Sequence, residues 1–530
     1  MKYDSIILGG GHNGLVTAAY LAKSGQKVCV LEKRHILGGC SSTEELWPGY
    51  KISPAAYVIS LFLPEIMEDL RLVENGLKIL PRNPSSFTPD LNGPGLLLSG
   101  DQEQNHKEIS FYSAPDADAY AKYEEELTNL AEVIEPMAMQ APPDIMAKGV
   151  FKKIKAGIQA LNMLRKFGRL GDKIPEAIEV LTGDAATILN RWFKSDVLKA
   201  SLAGDAIIGS FTSPSNPGSS YILLHHVMGE AGGQRGIWGY IEGGMGGLAD
   251  ALEKTCKDLG VDILLNHEVT AIDVEKGRAV GVGVKDAGER MIPRTLSAKN
   301  IISSVDATTT MRWANPENFP ESYVRRVNNI DYSSASAKVN MAIKGLPKFA
   351  GMERRESREG CYNGTIHISP DLKYIEQAYH DARMGRFSRR PVLEITTPSV
   401  VDPTLAPEGH HVMQMFVQYA PYHLDGMSWD DDDVKRAFYN TCIDTLEEYA
   451  PDIRERILHH HVLTPLDIER TYGMTGGNIF QGSMIPHQMG PFRSKYKTPL
   501  KGLYLCGAAT SPGGGVVGAC GKNAAEAILS

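Results

Sequence analysis

The first thirty residues constrain the fold more than any other stretch. Residues 3–32 read YDSIILGGGHNGLVTAAYLAKSGQKVCVLE, a short apolar strand entering glycines, a helix, and a second apolar strand ending on a carboxylate. This is the spacing of a dinucleotide-binding βαβ unit. Gly9 permits the tight turn out of the strand, Gly11 lets backbone approach a pyrophosphate, and Gly14 lets the helix pack on the sheet. His12 and Asn13 sit between these glycines, where the helix begins and its unpaired N–H groups face the phosphates. Glu32, at the tip of the second strand, is in position to accept a ribose hydroxyl.

The pattern continues through Lys33 and Arg34 to Gly38 and Gly39. That double glycine opens a second close approach of backbone to the pyrophosphate, with Arg34 adding positive charge nearby. A nicotinamide domain has no special need of this extension, so FAD is the expected cofactor.

A chain of 530 residues exceeds one ordinary core, and more than one domain is expected. The net charge of −8 argues against nucleic-acid partners. No apolar run approaches the roughly 20 residues of a bilayer span. With the first strand starting at Tyr3, no cleavable leader is expected and a cytoplasmic location is. The seven cysteines lack CxxC spacing, which points to reduced thiols and not to a redox disulfide or a zinc site. His459, His460 and His461 are consecutive and cannot all converge on one ion from a strand or helix, so no metal is expected there.

The other end, GLYLCGAATSPGGGVVGACGKNAAEAIL, gives a short strand, a glycine-rich loop and a final helix. Too few residues follow for a second nucleotide domain, so this helix is expected to present its N-terminus to the same cofactor. Between the two ends, residues 240–274 supply a turn at Gly243–Gly247, a helix, and strands near 261–265 and 269–274, followed by strands at 278–285 and 299–305. Residues 232–240 are too glycine-rich to be read as a buried strand.

The fold class expected is α/β: a discontinuous Rossmann-like FAD domain from 1–75, 234–307 and 491–530, and a mixed-sheet α+β substrate domain from 76–233 and 308–490. In the latter, 338–343, 396–398 and 412–418 are expected as strands. The acidic run at 430–433 is expected as the first turn of a helix reaching Tyr449.

These segments together resemble the phytoene dehydrogenase-like flavoproteins, which include carotenoid desaturases and ketolases. The motifs GGGHNGLVTAAYLAKSG, LEKRHILGG, GGNIFQG and LCGAATSPGGGVVGACGKNAA most resemble the branch called the pyridine nucleotide-disulfide oxidoreductase domain-containing protein 2 group. The resemblance implies noncovalent FAD between a cofactor domain and a mixed sheet. It matches Gly9, Gly11 and Gly14 to the pyrophosphate loop, Glu32 to the ribose ligand, and Gly38 and Gly39 to the double glycine. It also matches Val269 to the strand beside adenine, and Gly507 with Gly514, Gly515, Val516 and Val517 to the closing loop. Flavin amine oxidases continue the double glycine with Arg where this chain has Cys40, a departure that weighs against an amine oxidase.

A flavin accepts a hydride without a protein nucleophile, so no catalytic triad is expected. Tyr221, His225, His226, Trp238 and Tyr240 are candidates for an apolar cleft beside the flavin, with His225 or His226 handling a proton. A packed helix with hydrogen-bonded histidines is the competing reading. Arg235 is read as a surface ion pair or a substrate anchor. Residues 148–173 form a basic amphipathic stretch, read as a helix with a core-facing apolar side or as one lying on an anionic membrane. The expected activity is removal or transfer of hydrogen on an apolar substrate of isoprenoid or polyene type, with oxygen or a quinone as electron acceptor. A flavin-bearing assembly protein, a lipid-binding module and an amine oxidase are the alternatives.

Overall fold

The computed structural model describes residues 2–143, 149–231, 233–286 and 294–530. In the first sheet, the Lys2–Leu8 strand lies between Val28–Leu31 and Arg294–Ser303. Asp262–Leu264 and Leu503–Leu505 continue it outward, and all of these pairings are parallel. Arg278–Asp286 and His267–Glu275 extend it as antiparallel strands. Alternation along the first strand follows the two-residue period of a strand. Ile7 packs with Leu15 and Val16 of the following helix, while Ile6 and Leu8 enter the opposite core with Val282 and Phe319.

Helix His12–Lys23 runs close to this sheet because Gly14 carries no side chain. A Cβ there would stand 2.3 Å from the Gly9 carbonyl oxygen. The last helix, Ala519–Leu529, docks on the same element: Thr17 Oγ1 donates to the Gly521 carbonyl at 3.0 Å, and Gly521 N–H to Asn13 Oδ1 at 3.4 Å. The two ends of the chain therefore meet at the glycine loop, as the sequence predicts.

A second sheet of seven strands has the spatial order Ile457–Leu463, Ser336–Lys344, His410–Gln418, Val392–Thr396, Thr365–Ile368, Ser86–Thr88 and Leu96–Leu98. Its pairings are antiparallel except that of Thr365–Ile368 with Ser86–Thr88. One face is a continuous apolar core in which Val339, Met341, Leu393, Ile395, Met415 and Val417 meet Phe438 and Leu446 of helix Asp432–Tyr449. That helix begins as expected, with the Asp431 carboxylate accepting the Asp433 N–H at 2.8 Å.

Two local expectations need correction. The strand expected at 396–398 is Val392–Thr396, and Pro398 opens a short 3₁₀ turn because its ring removes a ladder donor. The segment read as too glycine-rich for a buried strand ends in one: Gly239–Ile241 is buried and pairs with Ile79–Pro81. Gly239 lies so close to Ile79 that a Cβ would meet its Cγ2 at 2.9 Å, so there the glycine serves strand packing. Gly232 lies outside the described residues.

The basic stretch is a helix, Val150–Phe167, of unusual orientation. It turns Ala156, Ala160 and Met163 inward, while Phe151 (89% exposed), Val150, Ile154, Ile158, Leu161 and Leu164 face outward. The reading of its large apolar residues as core is thereby overturned. Lys148 and the Lys152 side chain lie outside the described residues.

Candidate functional site

A cavity of about 910 Å³ reaches from the glycine loop of the first sheet to the second sheet. At the first end Gly9, Gly11, Gly38 and Gly39 line it with bare backbone. The space a Gly11 side chain would take is clear, the Gly38 carbonyl oxygen lying 4.0 Å from the Cβ position. Gly11 also caps helix His12–Lys23 without any side-chain acceptor, leaving the first N–H groups for a ligand. Glu32 is held at the rim by two backbone donors, Gly10 N–H to Oε2 and Arg34 N–H to Oε1, both at 2.8 Å.

His12 and Asn13 face the same space, and Gly515 and Val516 of the C-terminal loop close it. His12 Nε2 and both ring nitrogens of His225 are buried without a hydrogen-bond partner. Burial lowers His12 to about 4 and His225 to about 3, so both imidazoles are neutral near pH 7. Open backbone at a helix N-terminus, a fixed carboxylate and orphaned neutral imidazoles fit a dinucleotide with an uncharged ring system.

Other expected residues play different parts here. Gly14 serves helix packing, as expected, and Val269, Gly507, Gly514 and Val517 are not among the residues lining the cavity. Lys33 reaches the rim and donates to the Arg470 carbonyl at 3.0 Å. Arg34 also lines the cavity, its guanidinium paired with Glu44 at 2.7 Å. Cys40 lines the cavity, and burial pushes its thiol up to about 12, so it is no thiolate. Arg235 pairs with Glu135, in accord with the ion-pair reading.

Of the five expected cleft residues, His225, His226 and Trp238 line the cavity and Tyr221 and Tyr240 do not. Tyr221 instead packs with Ile222, Phe480 and Met484. His226 Nδ1–H donates to the Ile222 carbonyl at 2.8 Å, and its ring stacks on Trp238 at 5.5 Å, so this imidazole is oriented. Among the described residues no cluster has the composition of a metal site.

The second end of the cavity holds a group of residues that the sequence reading missed. Lys338, Phe416, Glu394 and His367 stand in register across four adjacent strands and all line the cavity. Arg82, Asp205 and Tyr57 complete the surround. Lys338 Nζ has no hydrogen-bond partner and lies 3.6 Å from the centre of the Tyr57 ring. Tyr57 hydroxyl donates to Glu394 Oε2 at 3.4 Å. Burial, reinforced by the Asp205 carboxylate, pushes Glu394 up to about 8, while burial holds Lys338 well below the usual lysine range. In the sequence, SAKVNMAIK, TIHI and VLEIT place Lys338, His367 and Glu394 within apolar strands, but nothing local joins the three.

Residues 14–529 match the family model described as flavin containing amine oxidoreductase. The chain belongs to this family. It is therefore an FAD-dependent oxidoreductase of α/β class. The chain is 40% identical to the rat pyridine nucleotide-disulfide oxidoreductase domain-containing protein 2, over 100% of this chain and 93% of the relative. It is 27% identical to a subunit of limonene dehydrogenase from Castellaniella defragrans, covering 99% and 94%. The solved structure of cyclohexylamine oxidase from Brevibacterium oxydans superposes with a TM-score of 0.59 at 16% identity, covering 99% and 98%, which is a likeness of fold. Among the described residues no helix is long and apolar enough to cross a membrane.

Proposed function

We propose that this flavin oxidoreductase dehydrogenates an apolar, isoprenoid-type substrate held against the second sheet. The observation that carries the reading is the cavity wall between the glycine loop and the polar row, where Leu61, Leu127, Ile208, Leu223, Trp238 and Phe416 supply apolar surface. The relative named as a limonene dehydrogenase component supports it, limonene being a terpene hydrocarbon. Gly9, Gly11, Asn13, Glu32, Gly38, Gly39, Gly515 and Val516 would hold the FAD, which supplies a hydride acceptor when bound. The protein's part is to orient the substrate and keep water from it, with oxygen or a quinone as the final acceptor. Anaerobic mixing of the holoenzyme with a panel of terpenes, polyenes and polar amines tests this. Bleaching of the flavin by an apolar member supports the reading; bleaching by amines alone replaces it with amine oxidation.

We also infer that helix Val150–Phe167 rests on an anionic bilayer surface, from which an apolar substrate is drawn. Its exposed apolar stripe is flanked by Lys153, Lys155, Arg165, Lys166 and Arg169, and residues 145–171 contain no acid. In a chain of net charge −8 this is a local reversal of sign that complements acidic headgroups. Flotation with vesicles containing phosphatidylglycerol tests it. Co-flotation lost in an Ile154→Glu/Leu161→Glu variant supports membrane contact, and equal recovery with neutral vesicles or none overturns it.

A further inference from the structure

Arg82 brings a guanidinium to the cavity's polar end, and among the described residues it has no acidic ion-pair partner. Its side chain is 5% exposed, Nη1 donates to Thr365 Oγ1 at 2.7 Å, and the guanidinium lies 5.6 Å from the centre of the Tyr240 ring. Nε is buried without any hydrogen-bond partner, and among the described residues no carboxylate stands within ion-pair distance of Arg82. A buried guanidinium held only by a hydroxyl and an aromatic face is costly unless a further acceptor completes it.

Its neighbours do not complete it. Glu394 and Asp205 share the cavity, but among the described residues neither stands within ion-pair distance of Arg82; burial raises both carboxyls, that of Glu394 to about 8. Lys338, 2% exposed and unpaired at Nζ, adds a second basic group on the same wall. His367 is neutral near pH 7, burial lowering it to about 4. Near pH 7 a protonated Glu394 therefore offers no charge to the guanidinium, whose Nε keeps its donor capacity unmet.

We propose that Arg82 is the anchor of a carboxylate-binding subsite, so that the substrate is an apolar chain ending in a carboxylate. This rests on the apolar-substrate reading and makes it specific. A carboxylate brought to Arg82 would accept from the guanidinium and from a protonated Glu394, leaving the hydrocarbon body along the leucine-lined wall toward the flavin cradle. An ammonium headgroup would instead meet Arg82 with the same sign of charge.

The test compares three probes of one carbon skeleton, geranic acid, geraniol and geranylamine. Binding to the holoenzyme is followed by calorimetry and by perturbation of the flavin absorbance. The acid is expected to bind about ten-fold more tightly than the alcohol, the strength of a charge-assisted pair. Arg82→Gln should erase that preference with FAD content retained, and Arg82→Lys should restore part of it. A preference for the amine, equal binding of acid and alcohol, or an acid preference that survives Arg82→Gln overturns the subsite while the apolar-substrate reading stands. Binding by none of the three overturns both.

Discussion

Lys338 and Glu394 occupy one register row of the second sheet with a single residue, Phe416, between them. They face a cavity together, and neither forms an ion pair within 4 Å among the described residues. Two buried groups of opposite sign that do not pair must each settle their charge through their surroundings. Tyr57 does this for both, with its ring under the lysine and its hydroxyl on the carboxyl.

The first prediction concerns Glu394, whose carboxyl in the folded chain sits near 8, raised by burial and then by Asp205. Between the ordinary carboxylate range and about 8 the folded state binds more protons at this site than the unfolded state. Stability from this group is therefore greatest at low pH and falls as pH rises toward 8. Glu394→Gln removes the titration. Relative to that variant, the wild-type melting temperature should drop by on the order of 2 °C or more from pH 5 to pH 9. Infrared difference spectra should show a protonated carboxyl band that fades near pH 8 and is missing in the variant. A band unchanged by the substitution would place the titrating group elsewhere.

Gly204 makes the second prediction, because two effects of opposite sign meet there. It ends helix Asp196–Gly204, where alanine normally gains roughly 0.5–1 kcal/mol over glycine. A Cβ at this point would stand 3.3 Å from both Glu394 Oε1 and His367 Nδ1, two buried side chains that would both have to shift. Crowding should win, so Gly204→Ala is expected to lose about 1–2 kcal/mol in chemical denaturation. A stabilised variant would mean that the polar row has slack.

How much could be read in the sequence depended on whether the chemistry was local. The glycine loop, Glu32 and the C-terminal helix were legible because turn geometry and phosphate recognition fix residue types at short spacing. The Lys338, Glu394 and His367 row was not, since strands distant in sequence bring those residues together and only their register makes them neighbours. Tyr221 failed for a related reason. The sequence groups it with His225 as part of one segment rich in aromatic and imidazole residues, but helix Ser219–Val227 is buried nearly all round, so being on the same helix did not select the cavity face. The outward apolar stripe of Val150–Phe167 was equally beyond pattern reading, because periodicity gives a face without saying what it meets.

Gly11 supports a third prediction. Its Cβ position is open toward the cavity, so a larger side chain there costs the fold little and takes space from a ligand. Gly11→Val is expected to give soluble protein with a near-normal melting temperature of the apoprotein and about a tenth or less of the wild-type flavin absorbance. A fully yellow variant would show that the pyrophosphate does not approach this backbone.

The last prediction separates two candidates for the proton-handling group. His225 lines the cavity beside Gly515, yet burial holds its imidazole at about 3, with His226 adding to the effect. A base that weak is neutral throughout the working range and takes no proton at pH 7. Glu394, near 8, changes state inside that range. The pH profile of flavin reduction by an active donor should therefore keep its shape in His225→Leu, even if the rate falls about ten-fold through lost packing. In Glu394→Gln the limb near pH 8 should disappear. Loss of that limb in the histidine variant and its survival in the glutamine variant would return the role to His225.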